Sequence, residues 1–381
     1  MTNKDPRQEI SPRQSASIIA STMIGAGVLT LPRTVAEYAK QSGWFAVILG
    51  MIIAMAGVSI MTLLSNKFPR QNIIEYSQEI LGSRKYKAVG RWLSYPLLLP
   101  ILGYWCVVTV LASRLFGEVV VTAVLPATPL EVIISTMLLI AYVLTFYSVE
   151  VVARVNELLL PLIVVPVLLI SLSSYQHARL YHLFPLRYDV DWSDLFMGAF
   201  SAFAFPFLGF EVLLLFAKYS RHPSVLLRDH VAAVALPGFI YTLIAVAGMA
   251  VFGVDELKRL MWPTYELVKV TKVPGLILER VESAFIGVWV AAVFTTTANI
   301  YYAICMFIRE MLGMKGHRII ATILLPLFYW ISLRPPNIQA LINYLTYSGC
   351  AGGIAILVIP TLLLGVSYLR KKGGKGAAHD A

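Results

Sequence analysis

The chain has 381 residues, of which 58% are hydrophobic and 14% are charged. Soluble domains carry about 25% charged residues, so this composition excludes an ordinary soluble protein. Apolar runs of about 20 residues recur along the whole chain and predict a polytopic, all-α membrane protein without a separate soluble domain. The net charge of +10 would suit nucleic acid, but in membrane proteins Lys and Arg chiefly mark cytoplasmic loops. We therefore expect no nucleic-acid partner.

The apolar pattern predicts ten membrane-spanning helices, with boundaries that are loose by a few residues. They cover residues 15–38, 43–65, 92–124, 130–149, 154–174, 195–217, 230–253, 278–312, 317–334 and 337–369. Residues 1–14 form a polar tail without the apolar core of a signal peptide, so we expect the first span to be retained. Residues 370–381 form a basic tail.

Lysine and arginine predict the orientation of these helices, because cytoplasmic loops are enriched in both. With the N-terminus inside, twenty of the 31 Lys and Arg residues fall in inner segments, ten fall in outer segments, and Arg114 lies within a span. This bias predicts that both termini are cytoplasmic, which agrees with an even number of spans. The run Arg370–Lys372 would then anchor the last helix at a surface of anionic membrane lipids.

The first span contains two glycines, Gly25 and Gly27, near its middle. Glycine weakens a helix by roughly 1 kcal/mol relative to alanine. In lipid, an interrupted helix persists only where protein or a wet cavity covers the freed backbone groups. The pair therefore predicts a break that leaves helix ends free to hold a polar ligand. The alternative is close helix–helix contact, which small residues also permit.

The sixth span carries its own interruption, Phe203–Glu211, in which Pro206 lacks a backbone donor and Gly209 loosens the turn that follows. The two halves, residues 15–174 and 195–369, also share a plan. A short segment, 73–81, follows span 2, and a short helix that opens at Pro263 follows span 7. Because each repeat has five spans, an odd number, the second repeat must insert upside down relative to the first. Broken helices in corresponding positions of an inverted repeat indicate a transporter-type binding site.

Several short motifs resemble one known family. The run Ile24–Arg33 resembles the first-helix motif of the amino acid–polyamine–organocation superfamily. Gly43-Trp44, Lys67–Pro69 and Glu75-Tyr76 followed by Leu81-Gly82 resemble the B subunit of spore germinant receptors, the spore germination permease family. The resemblance implies a leucine-transporter-like fold of five-plus-five inverted helices and an amino acid or similar small ligand. It also implies an A subunit and a lipoprotein C subunit as partners in the spore inner membrane.

The resemblance assigns the ligand to the break in span 1, at Thr22, Gly25, Ala26 and Gly27. Free N–H groups where the outer half-helix begins, near Gly27, suit a carboxylate. The Thr22 carbonyl, where the inner half-helix ends, suits an ammonium group or a cation. The span 6 break adds two carbonyls and an aromatic wall, for which ordinary lipid or core contact is the alternative. Its residues are Phe203, Ala204, Phe205, Phe207 and Phe210.

Two of the charged residues within spans are candidates for a functional role. Glu211 is costly in lipid and marks function by default: it would face the cavity, pair with a substrate amine or carry a proton. The alternative is a structural carboxylate that a partner satisfies. Arg114 either partners a carboxylate or extends to the membrane interface. Tyr104 would present its hydroxyl to the cavity.

Coupling to Na⁺ or H⁺ is the remaining question of chemistry. Thr295 and Thr296 offer hydroxyl oxygens to a sodium ion beside span 1, although threonine hydroxyls also bond to their own helix. Span 5 contains no lysine, so a lysine-driven proton mechanism is doubtful there. Glu157 is expected to form an interfacial pair with Arg154. We expect no other cofactor.

The remaining polar residues give no sign of an enzyme. His177 and His182 are five residues apart and are expected to be solvated, and the cysteines, in apolar segments, are expected to be buried and unpaired: Cys106, Cys305 and Cys350. No nucleophile–base set or phosphate loop is present. The family resemblance favours a ligand-binding subunit of a germinant receptor. The alternative is a secondary amino acid transporter that uses the same pocket by alternating access.

Overall fold

The computed structural model describes residues 9–82, 87–184, 191–221, 225–271 and 281–373. These residues form α-helices joined by short connections, and no β-strand occurs among them. The helices are α1 Pro12–Met23, α2 Leu31–Ala39, α3 Gly43–Lys67, α4 Ile73–Leu81, α5 Lys87–Ala123, α6 Leu130–Leu144, α7 Val149–Ser174, α8 Trp192–Ala204, α9 Leu213–Phe216, α10 Leu226–Leu257, α11 Pro263–Val270, α12 Val281–Leu312, α13 Arg318–Ser332 and α14 Ile338–Leu369. The predictions for residues 1–8, 278–280 and 374–381 lie outside the described residues.

The described part of the chain accounts for the ten predicted spans. Six helical runs are long and apolar enough to cross a membrane, and two further apolar helices, α6 and α13, have 15 residues each. The first of the six runs, Leu31–Lys67, contains α3 together with α2. Helix α2 also forms the second part of one interrupted helix with α1, and α8 with α9 forms the other, which completes the set. The helix ends differ from the predicted boundaries by up to five residues. Between spans 4 and 5, α6 ends at Leu144 and α7 begins at Val149, because Ser148 is extended and starts a new helix.

Both predicted interruptions are present. Helix α1 ends at Met23, and the chain resumes as a 3-10 turn over Ala26–Leu29 before α2 begins. The outer half-helix thus starts slightly before the expected Gly27. In the second interruption, α8 ends at Ala204 and Gly209 has a φ of +126°, a left-handed conformation that favours glycine.

The interrupted helices occupy the centre of the bundle. Helix α1 packs against α7, α10 and α12, and α8 packs against α2, α3 and α14. Side chains at the periphery, such as Leu158 and Leu162 on α7, are large, apolar and exposed, as expected where a helix meets lipid. At one end of the bundle, Ile10 donates its amide to the carbonyl of Tyr219 at 2.9 Å. We call this end the N-terminal face.

In each half, one short helix follows the second span. Helix α4 has the predicted bounds, and α11 begins at the predicted Pro263. Asn72 caps α4 by accepting the amides of Ile74 and Glu75, and the Glu75 carboxylate accepts the amide of Asn72 in return. This arrangement is a capping box. The equivalent positions of α4 and α11 agree with the five-plus-five plan, while the repeat bounds 15–174 and 195–369 stay a prediction.

Replacing the cap tests whether it determines where α4 begins. We expect Asn72→Ala to destabilise the first turn by about 1 kcal/mol, because two amides lose their acceptor. Hydrogen exchange of the peptide covering α4 should then accelerate about fivefold. Asn72→Asp keeps the acceptor and should exchange like the wild type. Equal exchange in Asn72→Ala would contradict the capping role.

Candidate functional site

The two interruptions touch each other at the centre of the bundle. A Cβ atom built on Gly27 would lie 2.7 Å from the Cα of Pro206, and one on Gly209 would lie 2.9 Å from the carbonyl oxygen of Thr22. Such distances are shorter than real side chains allow, so only glycine fits at these contacts. The structure therefore brings together the two segments that the sequence assigns to the site.

Helix α12 supplies hydrogen bonds to the end of α1. The Thr296 hydroxyl donates to the Thr22 carbonyl at 2.8 Å, and the Thr295 hydroxyl lies 3.1 Å from the Ser21 carbonyl. Thr295 also bonds to its own helix at Ala292, at 2.8 Å. These are the hydroxyls expected to bind sodium. Here they satisfy carbonyls that the end of α1 leaves without helical partners.

Close approach of α12 depends on the first glycine of the pair. A Cβ atom on Gly25 would lie 2.2 Å from Oγ1 of Thr296. Because the hydroxyl occupies that space, any larger residue at Gly25 displaces it from Thr22. Gly25 therefore serves both readings of the sequence: it lies in the break and it permits helix contact.

Three buried side chains that the sequence did not assign to the site complete the support of α1. Asn299 donates to the hydroxyl of Thr22 at 2.8 Å and exchanges two hydrogen bonds with Asn156, at 2.8 and 2.9 Å. Tyr241 donates its hydroxyl to the carbonyl of Met23 at 2.6 Å. The two asparagines could have been found, because an amide within an apolar span needs a partner. Nothing in the sequence distinguished Tyr241 from the other 18 tyrosines.

Glu211 is enclosed and holds protein donors. Its side chain has no exposed surface. One carboxylate oxygen accepts the amide of Gly209 at 2.7 Å, and the other accepts the indole N–H of Trp105 at 3.3 Å. The carboxylate thus satisfies an amide that the second break frees. This geometry supports the structural alternative over direct contact with a ligand.

Three of the four phenylalanines of the second break form a wall without open surface, whereas Phe205 is half-buried. Phe203, Phe207 and Phe210 are fully buried, and Phe207 packs edge-to-face on Tyr241 with ring centroids 5.2 Å apart. Tyr104 is almost fully buried, and its ring lies where a Cβ atom of Gly352 would be. We call the contact between the two interruptions the crossing. The phenylalanines and Tyr104 pack around the crossing, and their side chains take no part in its hydrogen bonds.

A small cavity reaches the second break from the side opposite the N-terminal face. It has a volume of about 60 Å³ and is bounded by α2, by the end of α8 and by α14. Ala204, Phe205 and Pro206 line it, whereas Thr22, Gly25 and Gly27 do not. Small-molecule sites usually have volumes of about 300–1,000 Å³, so this space is small for a ligand. A ligand the size of most amino acids fits only if α2 and α8 move apart.

Arg114 follows one of its two alternatives, because it pairs with the carboxylate of Glu118 at 2.7 Å, an i,i+4 pair. Two expectations for residues outside the crossing need correction. Glu157 accepts from Gln14 at 3.2 Å, while Arg154 lies 4.0 Å from Glu150. His182 is half-buried with its ring 3.0 Å from the carbonyl of Ala250. His177 is exposed, as expected. Among the described residues, no group of three or more His, Cys, Asp or Glu could hold a metal ion.

These features define a class of protein: a polytopic membrane protein with the leucine-transporter-like fold. A solved structure, that of MhsT in complex with L-phenylalanine, superposes with a TM-score of 0.62 over 95% of this chain and 99% of that chain, at 12% identity. The likeness shows the fold.

The chain belongs to the family described as "Spore germination protein", whose model matches residues 9–341. It is 27% identical to the spore germination protein YndE of Bacillus subtilis over 97% of this chain and 99% of that protein. It is 26% identical to spore germination protein B2 of Bacillus subtilis and 27% identical to spore germination protein GerLB of Bacillus cereus. These alignments cover 95% and 96% of this chain, and 96% of each relative.

Substitution of Gly25 tests the contact between α1 and α12. We expect Gly25→Ala to destabilise the protein by about 1–3 kcal/mol, because the new Cβ atom overlaps Oγ1 of Thr296. Adding Thr296→Ala should recover part of this loss by removing that oxygen, as a double-mutant cycle in thermal unfolding would measure. The control is Gly103→Ala, since nothing lies within 4 Å of that position. Additive losses in the cycle would contradict the contact.

Substitution of Glu211 tests whether its carboxylate supports the second break. We expect Glu211→Gln to cost about 1–3 kcal/mol, because the new amide NH₂ must face Gly209 or Trp105, both of which are donors. Thermal unfolding of the purified protein measures the loss. The exposed Glu131→Gln should change the unfolding free energy by less than about 0.5 kcal/mol. If Glu211→Gln unfolds at the wild-type temperature, the carboxylate is not needed to support the break.

Proposed function

We propose that this chain is the membrane-embedded, amino-acid-binding subunit of a spore germinant receptor. In this proposal it works in the spore inner membrane with an A subunit and a lipoprotein C subunit, and its N-terminal face and both termini are cytoplasmic. The observation that carries the proposal is the contact between two interrupted helices at the centre of the bundle. Membership of the spore germination protein family and the L-phenylalanine in the MhsT structure support it.

A zwitterionic amino acid matches the groups at the crossing. Amides at the start of the 3-10 turn, around Ala26 and Gly27, would bind its carboxylate, since helix N-termini favour anions. Carbonyls of Thr22, Phe203 and Ala204 would bind its ammonium group. The buried phenylalanines of the second break, with Tyr104, would surround its side chain.

Binding would require the two interruptions to separate. The Thr22 carbonyl oxygen already accepts the hydroxyl of Thr296, and Gly209 packs against it. An ammonium group can reach the second lone pair of this oxygen only if the two segments move apart. The ligand would thus stabilise a more open arrangement than the one seen here. It shifts the balance between the two only by as much as its affinities for them differ. In a receptor, the partner subunits would detect that shift.

The same contacts bear on ion coupling. A sodium ion between α1 and α12 would have to displace the hydrogen bonds from Thr295 and Thr296 and bind the same oxygens. A proton carried by Glu211 would have to weaken its contacts with Gly209 and Trp105. Either ion would therefore act by loosening the support of a break.

Ligand binding can be tested with a matched pair of threonines on α14. Thr346 lines the small cavity, whereas Thr361 is exposed at the periphery, and each hydroxyl bonds to its own helix four residues back. We expect one or more of the common amino acids to stabilise the wild type, by about 2.7 kcal/mol at a hundredfold excess over Kd. Thr346→Leu should weaken binding at least tenfold by filling the entrance, and Thr361→Leu should leave it unchanged.

Equal affinity in Thr346→Leu and Thr361→Leu would refute this location for the site. Uptake of the radiolabelled ligand by reconstituted protein then separates the two functions. Binding without flux supports the receptor. Accumulation driven by an ion gradient would instead assign the pocket to a secondary transporter.

A further inference from the structure

A larger cavity, of about 810 Å³, opens at the N-terminal face and shares no lining residue with the small cavity at the crossing. It lies between the ends of α7, α12 and α13. Three permanent cations line it, Arg309, Lys315 and Arg318, and among the described lining residues none is Asp or Glu. We call this cavity the basic cleft.

One of the three cations is paired with a carboxylate. Glu310 lies against both Arg309 and Lys218, and the neighbouring Glu150 faces Arg154. Arg318 and Lys315 are exposed, and the guanidinium of Arg318 lies 5.6 Å from the centroid of the Phe146 ring. The excess positive charge of the cleft therefore rests on Lys315 and Arg318.

A histidine lies beside the same cations in the cleft. His317, in the connection between α12 and α13, donates to the carbonyl of Thr145 at 2.6 Å. Burial lowers the pKa of His317, the hydrogen bond to Thr145 opposes that effect, and the charges of Arg309 and Arg318 reinforce it. Two helices, α7 and α13, also begin in the cleft without a side-chain cap. Their first amides add to the attraction for an anion.

An apolar stripe runs from the cleft along the outside of α13. Ile319 lines the cleft and is exposed, and Ile323, Leu327 and Trp330 continue the same helix face, also exposed. Their spacing places them on one side of the helix. On a membrane-spanning helix, such a face meets acyl chains. A cationic cavity that continues into a lipid-facing stripe therefore fits a ligand with an anionic head and an apolar tail.

We propose that the basic cleft binds the phosphate headgroup of an anionic phospholipid whose acyl chain lies along α13. Basic pockets between helices at a membrane surface commonly take such headgroups. A soluble phosphate would use the cations but not the stripe, and an acidic protein segment would not need Ile319 to be continuous with the membrane. This proposal does not rest on the ligand proposed for the helix crossing.

A charge placed inside the cleft gives the sharpest test. Ser148 starts α7 and lines the cleft, so Ser148→Asp puts a carboxylate there and caps the helix. Ser148→Asn has the same shape without the charge. In native mass spectrometry of detergent-purified protein with phosphatidylglycerol and phosphatidylcholine, wild type and Ser148→Asn should retain phosphatidylglycerol preferentially. Ser148→Asp should reduce that preference about tenfold.

Loss of charge gives an independent arm if Ser148→Asp does not fold. The double variant Lys315→Gln/Arg318→Gln should also lower the preference about tenfold. The exposed Arg91→Gln on α5 removes a charge outside the cleft and should keep it. Equal preference in all variants would overturn the proposal. So would displacement of the lipid by glycerol phosphate at equal concentration, which indicates a soluble anion, or by a polyglutamate peptide, which indicates a protein partner.

Discussion

The structure depends on hydrogen-bond partners for the backbone N–H and C=O groups that the two interruptions leave without helical partners. Within a bilayer there is no water to replace a lost helical hydrogen bond, and each unpaired group costs several kcal/mol. Here hydroxyls satisfy the end of α1, since Thr296 donates to Thr22 and Tyr241 to Met23. The carboxylate of Glu211 satisfies the amide of Gly209. Three helices are thus placed by what the broken backbone needs: α5 through Trp105, α10 through Tyr241 and α12 through Thr296.

These partners also set the terms on which a ligand can bind. The groups that suit an amino acid are partly occupied by side chains of the protein, so binding exchanges one set of hydrogen bonds for another. Its free energy is a difference between two satisfied arrangements, which favours a shift in conformation over simple addition to a ready pocket. The glycine contacts at Gly27 and Gly209 keep the crossing compact until that exchange occurs.

Local chemistry made much of the fold readable from the sequence, whereas the site depended on contacts between distant segments. The two breaks follow from Gly25, Gly27 and Pro206, and α4 has its predicted bounds because turn and cap residues surround a short amphipathic run. The pairing of Asn156 with Asn299 and the direction of Glu211 depend on how each helix is rotated in the bundle. The rotation of each helix is set by tertiary packing, and spans that are apolar on every face do not encode it. The Arg114–Glu118 pair was readable from its i,i+4 spacing.

Helix α12 connects the crossing with the basic cleft. Thr296 bonds to the broken end of α1, and Arg309 lines the cleft 13 residues further along the same continuous helix, about 20 Å away at 1.5 Å per residue. A rigid helix transmits displacement over that distance. A lipid that binds the cleft more tightly in one position of α12 must therefore bias the crossing, and a ligand at the crossing must bias the lipid equally, because such coupling is reciprocal. The composition of the membrane would then belong to the ligand response itself.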